Sequence, residues 1–326
     1  MRQNSPHIRI FVSMRIDVDS VLINNPLYTP VRCGAVFDPE NKNLLQGDDT
    51  GNHISEKRAS FCEFTVQYWA WKNVPADYYG LCHYRRYLAF SEKRLYKNDH
   101  GLVPCPALLP RYMKRFGLLD AERMRKIILR HDMVIPQPAP VSKMPLPVNR
   151  ARTVQEMWEA HDGIFFDKRV IIRMFELIDI FAPQYSRSAR EYFAGDLHRG
   201  YNCYIMRRPY FERLCRFQFP IMEALEKELN ATGCPQEMRR TPAYIGEMLF
   251  GIFIYHILKV DNPKVCELPL VLFEETAPPR NGAELIYRYL IYGLDQVLRK
   301  LAAPLFPLGS RRRKVCKRVY RKIVRR

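Results

Sequence analysis

The feature that most constrains the fold is the stretch of residues 77–87, which reads Asp-Tyr-Tyr-Gly-Leu-Cys-His-Tyr-Arg-Arg-Tyr. Its first half is a short apolar run, with the length of a buried strand rather than of a helix. Its second half is polar, with the imidazole of His83 and the guanidiniums of Arg85 and Arg86. Alternation along a strand predicts that His83 and Arg85 share one face of a sheet, and Tyr84 and Arg86 the other.

The position of these polar residues indicates a ligand site. In open α/β sheets, ligands bind outside the carboxyl ends of the strands. An arginine pair at such an end suits a phosphate or a diphosphate, because each guanidinium binds two oxygens at once. The alternative is that the arginines only neutralise carboxylates on the surface. His83, Arg85 and Arg86 are therefore the candidates for a diphosphate site.

The composition is that of a globular protein with room for a large core. The chain has 326 residues, of which 47% are apolar and 26% are charged, and these allow one large domain or two modest ones. Nine cysteines stand singly without a C-x-x-C pair, which argues against a disulfide framework and a zinc site and fits a reducing cytosol. The first twelve residues lack a signal-peptide pattern, and the apolar stretch 245–258 is shorter than a membrane span. We expect a cytoplasmic protein that does not cross a membrane.

Strand and helix patterns alternate along the chain. Residues 8–13 and 31–37 read as strands, and a helix follows in which Phe61, Phe64 and Tyr68 recur at helical spacing. Pro75 ends this helix before the strand at 78–82, and the series makes an α/β unit. Further strands are predicted at 132–136, 201–206 and 265–273, and further helices at 119–130, 154–160, 168–181, 211–229 and 243–258. Residues 91–118 carry basic and proline-rich loop signals.

Aromatic residues are concentrated around the organising strand. Ten of the thirty residues 61–90 are aromatic, against 12% in the whole chain. Most of them must be core residues. A few would instead line a sugar site, where flat rings pack against the apolar face of the sugar, and Trp69 and Tyr84 are the candidates.

Two groups of acidic residues are further candidates for function. Asp48, Asp49 and Asn52 lie in a segment rich in turn formers, where carboxylates bind ribose hydroxyls, cap turns or hold a divalent metal. Glu247 stands in an otherwise apolar helix, and an unpaired buried charge there is costly. Its structural alternative is an ion pair with Arg239 or Arg240.

Three segments together closely resemble a bacterial protein family. They are residues 47–55 (Gly-Asp-Asp-Thr-Gly-Asn-His-Ile-Ser), 68–73 (Tyr-Trp-Ala-Trp-Lys-Asn) and 80–87 (Gly-Leu-Cys-His-Tyr-Arg-Arg-Tyr). The family has an uncharacterised domain, occurs in capsular and exopolysaccharide gene clusters and is regarded as glycosyltransferases of the A-type, nucleotide-sugar-binding fold. The resemblance covers roughly residues 8–275. Tyr201-Asn202 and residues 240–247, with Arg240, resemble weaker downstream motifs of that family, whereas Met14-Arg15 stands where its members commonly have a His-Lys pair.

The resemblance implies an α/β fold and glycosyl transfer from a nucleoside-diphosphate sugar. The donor sugar would be a hexose, with galactofuranose among the possibilities, and the acceptor a polyprenyl-linked or growing surface polysaccharide. Many A-type enzymes use an Asp-x-Asp motif with Mn²⁺ or Mg²⁺ to stabilise the leaving diphosphate. Here His83, Arg85 and Arg86 stand at the corresponding strand end, and fixed cations can serve that role without a metal. Tyr201, Asn202 and Arg240 would bind the sugar or the acceptor.

A transfer that inverts the sugar needs a base for the proton of the acceptor hydroxyl. Glu247 is the first candidate, because it is a carboxylate in an apolar helix near the Arg239-Arg240 pair. Asp162, next to His161 in a predicted loop, is the second candidate.

The carboxyl-terminal end differs in composition from the rest. Residues 299–326 contain twelve Lys or Arg and no acid, so that only +6 of the net charge of +18 belongs to the first 298 residues. Apolar residues recur at helical spacing through 283–301 and again from Val315 to Val324. We therefore expect a catalytic domain over 1–280 and, over 281–326, a basic amphipathic tail that binds an anionic membrane surface at the inner face of the cell membrane.

The basic charge leaves a second class of function open. A nucleic-acid-binding protein with an idle cleft would also carry a basic tail. The apolar stripe along the tail favours a membrane over nucleic acid, because nucleic acid offers no apolar surface of that length.

Overall fold

The computed structural model describes residues 6–41, 44–146, 150–233, 235–302, 305–306, 310–312 and 315–316. The strands within these residues are β1 (Ile8–Arg15), β2 (Tyr28–Cys33), β3 (Tyr78–His83), β4 (Arg86–Leu88), β5 (Leu102–Ala107), β6 (Met133–Pro136), β7 (Ala139–Pro140), β8 (Leu197–His198), β9 (Tyr204–Arg207), β10 (Val265–Leu268) and β11 (Leu270–Glu275). The helices are α1 (Arg58–Phe61), α2 (Phe64–Asn73), α3 (Pro110–Arg115), α4 (Ala121–Leu129), α5 (Val154–Glu159), α6 (Arg169–Phe181), α7 (Ser186–Ala194), α8 (Arg208–Ala231), α9 (Thr241–Val260) and α10 (Gly282–Ala302). The predicted α/β class is confirmed.

The organising strand, β3, lies in the middle of a mixed sheet. It pairs in parallel with β1 and antiparallel with β9, so these two strands flank it. Beyond β1 comes β2 in parallel, and beyond β9 come β6 and β10. After β3 the chain folds back into β4, which continues the sheet through β11 to β5. The strands β7 and β8 form a separate pair.

The sheet buries both of its faces, as expected for a central strand of an α/β protein. Tyr79 and Leu81 of β3 point into a core that contains residues of α2 and α6 to α9. Tyr78 and Cys82 point into a second core on the opposite face, with Met113 of α3 and residues of α4. The alternation of side chains along the strand therefore separates two hydrophobic layers.

The end of β3 differs from the expectation. Tyr84 and Arg85 form a tight turn, and His83 is paired directly with Arg86 on the returning strand. Residues directly opposite each other in a sheet share a face, so His83 shares its face with Arg86. The prediction that His83 shares a face with Arg85 is wrong, because it assumed a strand that continued past Tyr84.

Other elements also differ from their predicted boundaries. The segment 91–118, read as loop, contains β5 and α3, and the single strand expected over 265–273 is two strands, β10 and β11. Two prolines, Pro104 and Pro106, stand inside β5. They are tolerated because β5 pairs with β11 alone within the described residues, and an edge strand leaves one row of N–H groups unpaired.

Helix α9 carries the most apolar sequence of the described helices. By length and composition it could cross a membrane, but 67% of its most apolar window is buried inside the protein. It packs against α8 and α7 in the first core. Its apolar residues are therefore accounted for by packing, with Glu247 as the exception.

Candidate functional site

The candidate site lies at the edge of the sheet where β1 and β3 end. His83 is the last residue of β3 and stands opposite Ser13 of β1. Because β9 runs antiparallel to β3, the residues that precede it, Tyr201 and Asn202, arrive at this same edge. Helix α9 supplies Glu247 from its first half. The fold thus brings together residues that are more than 160 positions apart in the sequence.

Arginines from three segments of the chain lie near enough to His83 for their charges to act on its imidazole. Burial lowers the pKa of His83 well below its ordinary value, and the positive charges of Arg86, Arg85, Arg15 and Arg240 lower it further. The imidazole is therefore neutral at neutral pH, and it can donate or accept a hydrogen bond but adds no charge. Arg15 and Arg85 form ion pairs with Asp17 and Glu274, so among the described residues the uncompensated positive charge comes from Arg86 and Arg240, and it favours an anionic ligand.

Arg86 has an unused donor at this site. Its Nε atom is buried and has no hydrogen-bond partner among the described residues. Its guanidinium carbon lies 5.2 Å from the centre of the Tyr201 ring, and no carboxylate in the described part of the chain forms an ion pair with it. A buried donor without a partner is costly, which points to a ligand that completes it.

Arg85 has a different role. Its Nε atom donates to the carbonyl of Phe273 at 3.0 Å, and its Nη2 atom donates to Glu274, also at 3.0 Å. Both acceptors belong to β11, so Arg85 ties the β3–β4 turn to that strand. The alternative that an arginine of this pair neutralises a carboxylate holds for Arg85 and not for Arg86.

Glu247 lies beside this cluster, half-buried in the structure. Its Oε1 atom accepts the backbone N–H of Tyr201 at 2.8 Å. Burial raises the pKa of Glu247, while the charge of Arg86 and the Tyr201 N–H oppose the rise. No ion pair of Glu247 with Arg239 or Arg240 occurs among the described residues, so the ion-pair alternative is not what the structure has.

A second carboxylate at the site, Glu63, was missed by the sequence analysis. Glu63 directly precedes α2 and accepts a hydrogen bond from Nδ2 of Asn202 at 3.0 Å. Its charge raises the pKa of Glu247. The signal that could have identified it is an acid placed between Phe61 and Phe64, inside the aromatic stretch.

The loop before β9 is strained. Tyr201 and Asn202 have φ values of +73° and +42°, a left-handed conformation that residues other than glycine rarely adopt. This conformation aims the Tyr201 N–H at Glu247 and the Asn202 amide at Glu63. Strained backbone of this kind concentrates at functional sites, where the surrounding contacts hold it in place.

A ladder of stacked rings leads up to Arg240. His161 stacks on Phe165 with ring centres 4.7 Å apart, and Phe165 stacks on Tyr244, also at 4.7 Å. The guanidinium of Arg240 lies over Tyr244 at 5.6 Å. We define these three rings as the ring ladder. Partly exposed flat rings beside a cation suit a sugar or a nucleobase, and the predicted site residues did not include Phe165 or Tyr244.

Asp48 lies elsewhere and has a structural role. It is fully buried, and its carboxylate accepts hydrogen bonds from the backbone N–H groups of Gly34 and Ala35 and from the hydroxyls of Ser55 and Thr65. Of the expected roles, ribose binding, metal binding and turn capping, this geometry fits turn capping. The carboxylate of Asp48 does not fit a metal ion, because both of its oxygens already accept hydrogen bonds inside the protein.

Asn52 and Trp69 also lie away from the cluster, whereas the buried ring of Tyr84 borders it, with its centre 4.3 Å from that of His83. Asn52 is tied to Asn73 through its backbone, and the indole N–H of Trp69 donates to the hydroxyl of Thr50 at 2.9 Å. Trp69 and Tyr84 are each only 6% exposed. These two rings are core residues and not a sugar-binding surface, in keeping with the expectation for most aromatics. Asp49 is half-buried in the same segment as Asp48.

Asp162 is the second candidate base, and the structure does not bring it to the cluster. Its carboxylate is exposed and accepts the backbone N–H of Lys168 at 2.8 Å. It therefore closes the loop between α5 and α6. More broadly, no group of three or more His, Cys, Asp or Glu placed to hold a metal ion occurs among the described residues.

Comparisons with known proteins agree with this architecture. The model of a family described as a domain of unknown function, DUF4422, matches residues 9–259. A solved structure titled as the apo structure of the WbbM bifunctional glycosyltransferase is similar to this chain, with a TM-score of 0.73 and 26% sequence identity over 83% of the chain. The chain spans 46% of that protein, about half its length. No curated protein matches the chain. The expected A-type glycosyltransferase-like fold is confirmed by the structural match.

Proposed function

The chain belongs to the DUF4422 family, and from its fold and its arginine cluster we propose that it is a glycosyltransferase. It would transfer a sugar from a nucleoside-diphosphate sugar to an acceptor hydroxyl. The observation that carries the proposal is the buried Nε atom of Arg86, which has no partner among the described residues and lies beside Tyr201, the residue whose backbone N–H donates to Glu247. The similarity to a glycosyltransferase structure supports the same reaction class.

The diphosphate of the donor is proposed to bind between Arg86 and Arg240. Arg86 has a buried donor without a partner among the described residues, and neither arginine has an ion pair with a described carboxylate. Negative charge develops on the diphosphate as it leaves, and fixed cations stabilise that charge. Neutral His83 would donate a hydrogen bond to the same group.

Glu247 is proposed as the base. A carboxylate with a raised pKa is a better proton acceptor than an ordinary one, and the positive charge of Arg86 opposes the rise that burial causes. In the reaction the acceptor oxygen forms a bond to the anomeric carbon, and its proton moves to Glu247. The bond from the anomeric carbon to the diphosphate breaks, and its electron pair leaves with the diphosphate.

Glu63, Tyr201 and Asn202 would position the acceptor and the base. Asn202 holds Glu63, and Tyr201 holds Glu247, so the loop before β9 fixes two carboxylates at once. The ring ladder would carry a sugar of the donor or of the acceptor against its flat faces.

The family resemblance supports a finer proposal for the substrates. We propose a hexosyltransferase, with galactofuranose among the possible sugars, that acts in capsular or exopolysaccharide synthesis. Its acceptor would be a polyprenyl-linked or growing polysaccharide at the inner face of the cell membrane.

A panel of nucleoside diphosphates and nucleotide sugars tests the proposal by thermal shift. A ligand that binds only the folded state stabilises it by about 2.7 kcal/mol at a hundred times its dissociation constant. We expect a diphosphate nucleotide to raise the melting temperature of the wild type and to have much less effect on Arg86→Ala.

Hydrolysis or transfer of the stabilising donor is then measured directly. A protein that ignores every nucleotide in the panel but binds RNA or DNA in a filter assay would replace this proposal with the nucleic-acid alternative. Equal stabilisation of the wild type and Arg86→Ala would place the diphosphate outside the arginine cluster.

A further inference from the structure

Helix α10 presents its apolar side to the solvent. We define the outer face of α10 as a set of residues that are all at least 40% exposed, at a spacing that places them on one side of the helix. They are Ile286, Tyr287, Leu290, Leu294, Val297, Leu298 and Leu301. A surface helix of a globular protein normally has the opposite arrangement, with apolar residues toward the core.

The side of α10 that faces the protein is held by polar contacts. Arg288 donates to the carbonyl of Ala277 at 2.7 Å and pairs with Glu284, also at 2.7 Å. The hydroxyl of Tyr289 contacts Arg111 and Tyr112 of α3. These contacts orient the helix, so its outer face is directed away from the sheet. A contiguous patch of seven exposed apolar side chains marks a site of association.

The charge around this face specifies what it meets. Twelve Lys or Arg and no acid follow from Arg299 to the end of the sequence, and Arg311 and Arg312 are exposed in the structure. A second copy of the chain would bring another twelve cations against these twelve, which is unfavourable. Nucleic acid would satisfy the cations but leave the apolar side chains in water. An anionic lipid surface satisfies both.

The start of α10 lies close in the fold to the arginine cluster. Strand β11 ends at Glu275, and α10 begins at Gly282, only a few residues later. β11 runs parallel to β5, and its residues Phe273 and Glu274 bind Arg85 in the turn next to His83. The helix therefore starts from the same edge of the sheet as the arginine cluster.

We propose that the outer face of α10 lies in the headgroup region of an anionic membrane, with the basic residues after it bound to lipid phosphates. The helix then lies along the surface and holds the carboxyl edge of the sheet next to the bilayer. Apolar residues on one side and cations at the flank are the two attractions that an interfacial helix requires. This inference does not rest on the proposed function, because vesicle binding requires no catalysis.

Co-sedimentation of the full chain with lipid vesicles tests the proposal. We expect binding to vesicles of phosphatidylcholine with phosphatidylglycerol and much weaker binding to phosphatidylcholine alone. The double substitution Leu290→Glu with Leu294→Glu should lower the partition onto anionic vesicles by about tenfold or more, since two apolar anchors are lost and two like charges face the lipid.

Two further variants keep the test selective. Ile172→Glu with Ile180→Glu on α6 replaces residues that are 64% and 63% exposed, as apolar as those on α10 but on another helix, and should leave binding unchanged. Arg311→Glu with Arg312→Glu leaves α10 intact and should weaken binding to anionic vesicles alone. Salt should weaken wild-type binding only in part, because screening acts on charges and not on the apolar face.

Three outcomes would overturn the proposal. The first is wild-type protein that stays in solution with anionic vesicles. The second is a Leu290→Glu, Leu294→Glu protein that is folded by circular dichroism and binds vesicles as the wild type does. The third is a wild-type dimer in the absence of lipid that this double substitution dissociates, because the outer face would then be covered by a second copy.

Discussion

At the residue scale, the neighbouring residues Arg85 and Arg86 make different contacts. Arg85 is fixed by two acceptors on β11, whereas the buried Nε atom of Arg86 has no partner among the described residues. A motif of two consecutive arginines does not reveal this difference, because both guanidiniums carry the same charge. The separation depends on the turn that places one on each side of the chain.

Alanine substitutions at the two positions should therefore affect different properties, the transfer rate in one case and the folding free energy in the other. Arg86→Ala should lower the rate of sugar transfer by roughly 10²–10³-fold, as expected when one donor to a developing oxyanion is lost. Its melting temperature should stay close to that of the wild type. Arg85→Ala loses the bonds to Phe273 and Glu274 and should lower the folding free energy by about 1–2 kcal/mol. The loss is limited because the ion pair with Glu274 is partly exposed to solvent. Kinetics and chemical denaturation of both variants, side by side, check this, and an inactive but fully stable Arg85→Ala would contradict it.

Glu247 gives a second expectation at this scale, in the pH dependence. Burial raises the pKa of its carboxyl above the ordinary 4.5, and a base must be ionised to act. The transfer rate of the wild type should therefore fall as the pH drops through this raised pKa. Glu247→Gln should be slow at every pH and lack this dependence. A wild-type rate that stays flat down to the ordinary range of glutamate would remove Glu247 from the role of base.

The same shift has a consequence for stability. A carboxyl whose pKa is raised on folding favours the folded state while it is protonated, and this contribution is lost as the pH rises through the folded-state pKa. The glutamine in Glu247→Gln stays neutral at every pH, so this variant does not lose that stability contribution. The stability of the glutamine variant relative to the wild type should thus increase in urea titrations as the pH is raised from below the ordinary pKa of 4.5 through the raised pKa of Glu247.

At the element scale, the loop before β9 is built to hold Glu247. Tyr201 and Asn202 adopt left-handed backbone conformations, and Gly200 leaves space for the carboxyl. A Cβ atom on Gly200 would lie 2.6 Å from Oε1 of Glu247 and would also contact the ring of His198. The absence of a side chain at this position is therefore part of the geometry of the site.

Gly200→Ala should displace the Glu247 carboxyl and lower the transfer rate at least tenfold, while donor binding by Arg86 is largely kept. A displacement of about 1 Å at reacting groups is enough for a loss of this order. Gly293→Ala is the matched control, because a Cβ there meets nothing within 4 Å. Initial rates and nucleotide thermal shifts on both proteins separate the two effects. Normal kinetics in Gly200→Ala would show that Glu247 can move without loss.

At the scale of the whole molecule, the fold collects positive charge at one edge of the sheet. Arg15 is the last residue of β1, Arg86 is the first residue of β4, and Arg240 directly precedes α9. None of the three comes from the segment with the acidic pair Asp48-Asp49, whose first carboxylate is enclosed by four donors. The charge that would neutralise a diphosphate is thus supplied by side chains of distant segments.

This arrangement leads us to expect a transfer reaction that does not depend on Mn²⁺ or Mg²⁺. Extensive treatment with EDTA should leave the rate within about twofold of the untreated enzyme, because fixed guanidiniums stabilise the leaving group. The matched measurement is Arg86→Ala with and without added Mn²⁺. Loss of wild-type activity on chelation, with recovery on adding either ion, would show that a metal supplies the charge.

The sequence by itself determined the parts that depend on local pattern. The apolar run ending at Cys82 identified β3, and the helical spacing of apolar residues identified α2, α8 and α9, because the spacing of apolar residues reflects which side chains an element buries. The lone acid in an apolar helix singled out Glu247. These inferences needed no knowledge of which segments meet.

The tertiary structure decided what local pattern cannot encode. The reversal after His83 placed Arg86 beside it, since a two-residue turn exchanges the faces that simple alternation predicts. Donors from four separate positions enclosed Asp48 and removed it from the site. An amphipathic period shows that a helix has two faces, but not which one meets the protein. Polar contacts through Arg288 and Tyr289 turned the apolar face of α10 outward, because packing is settled by the partner surface and not by the helix alone.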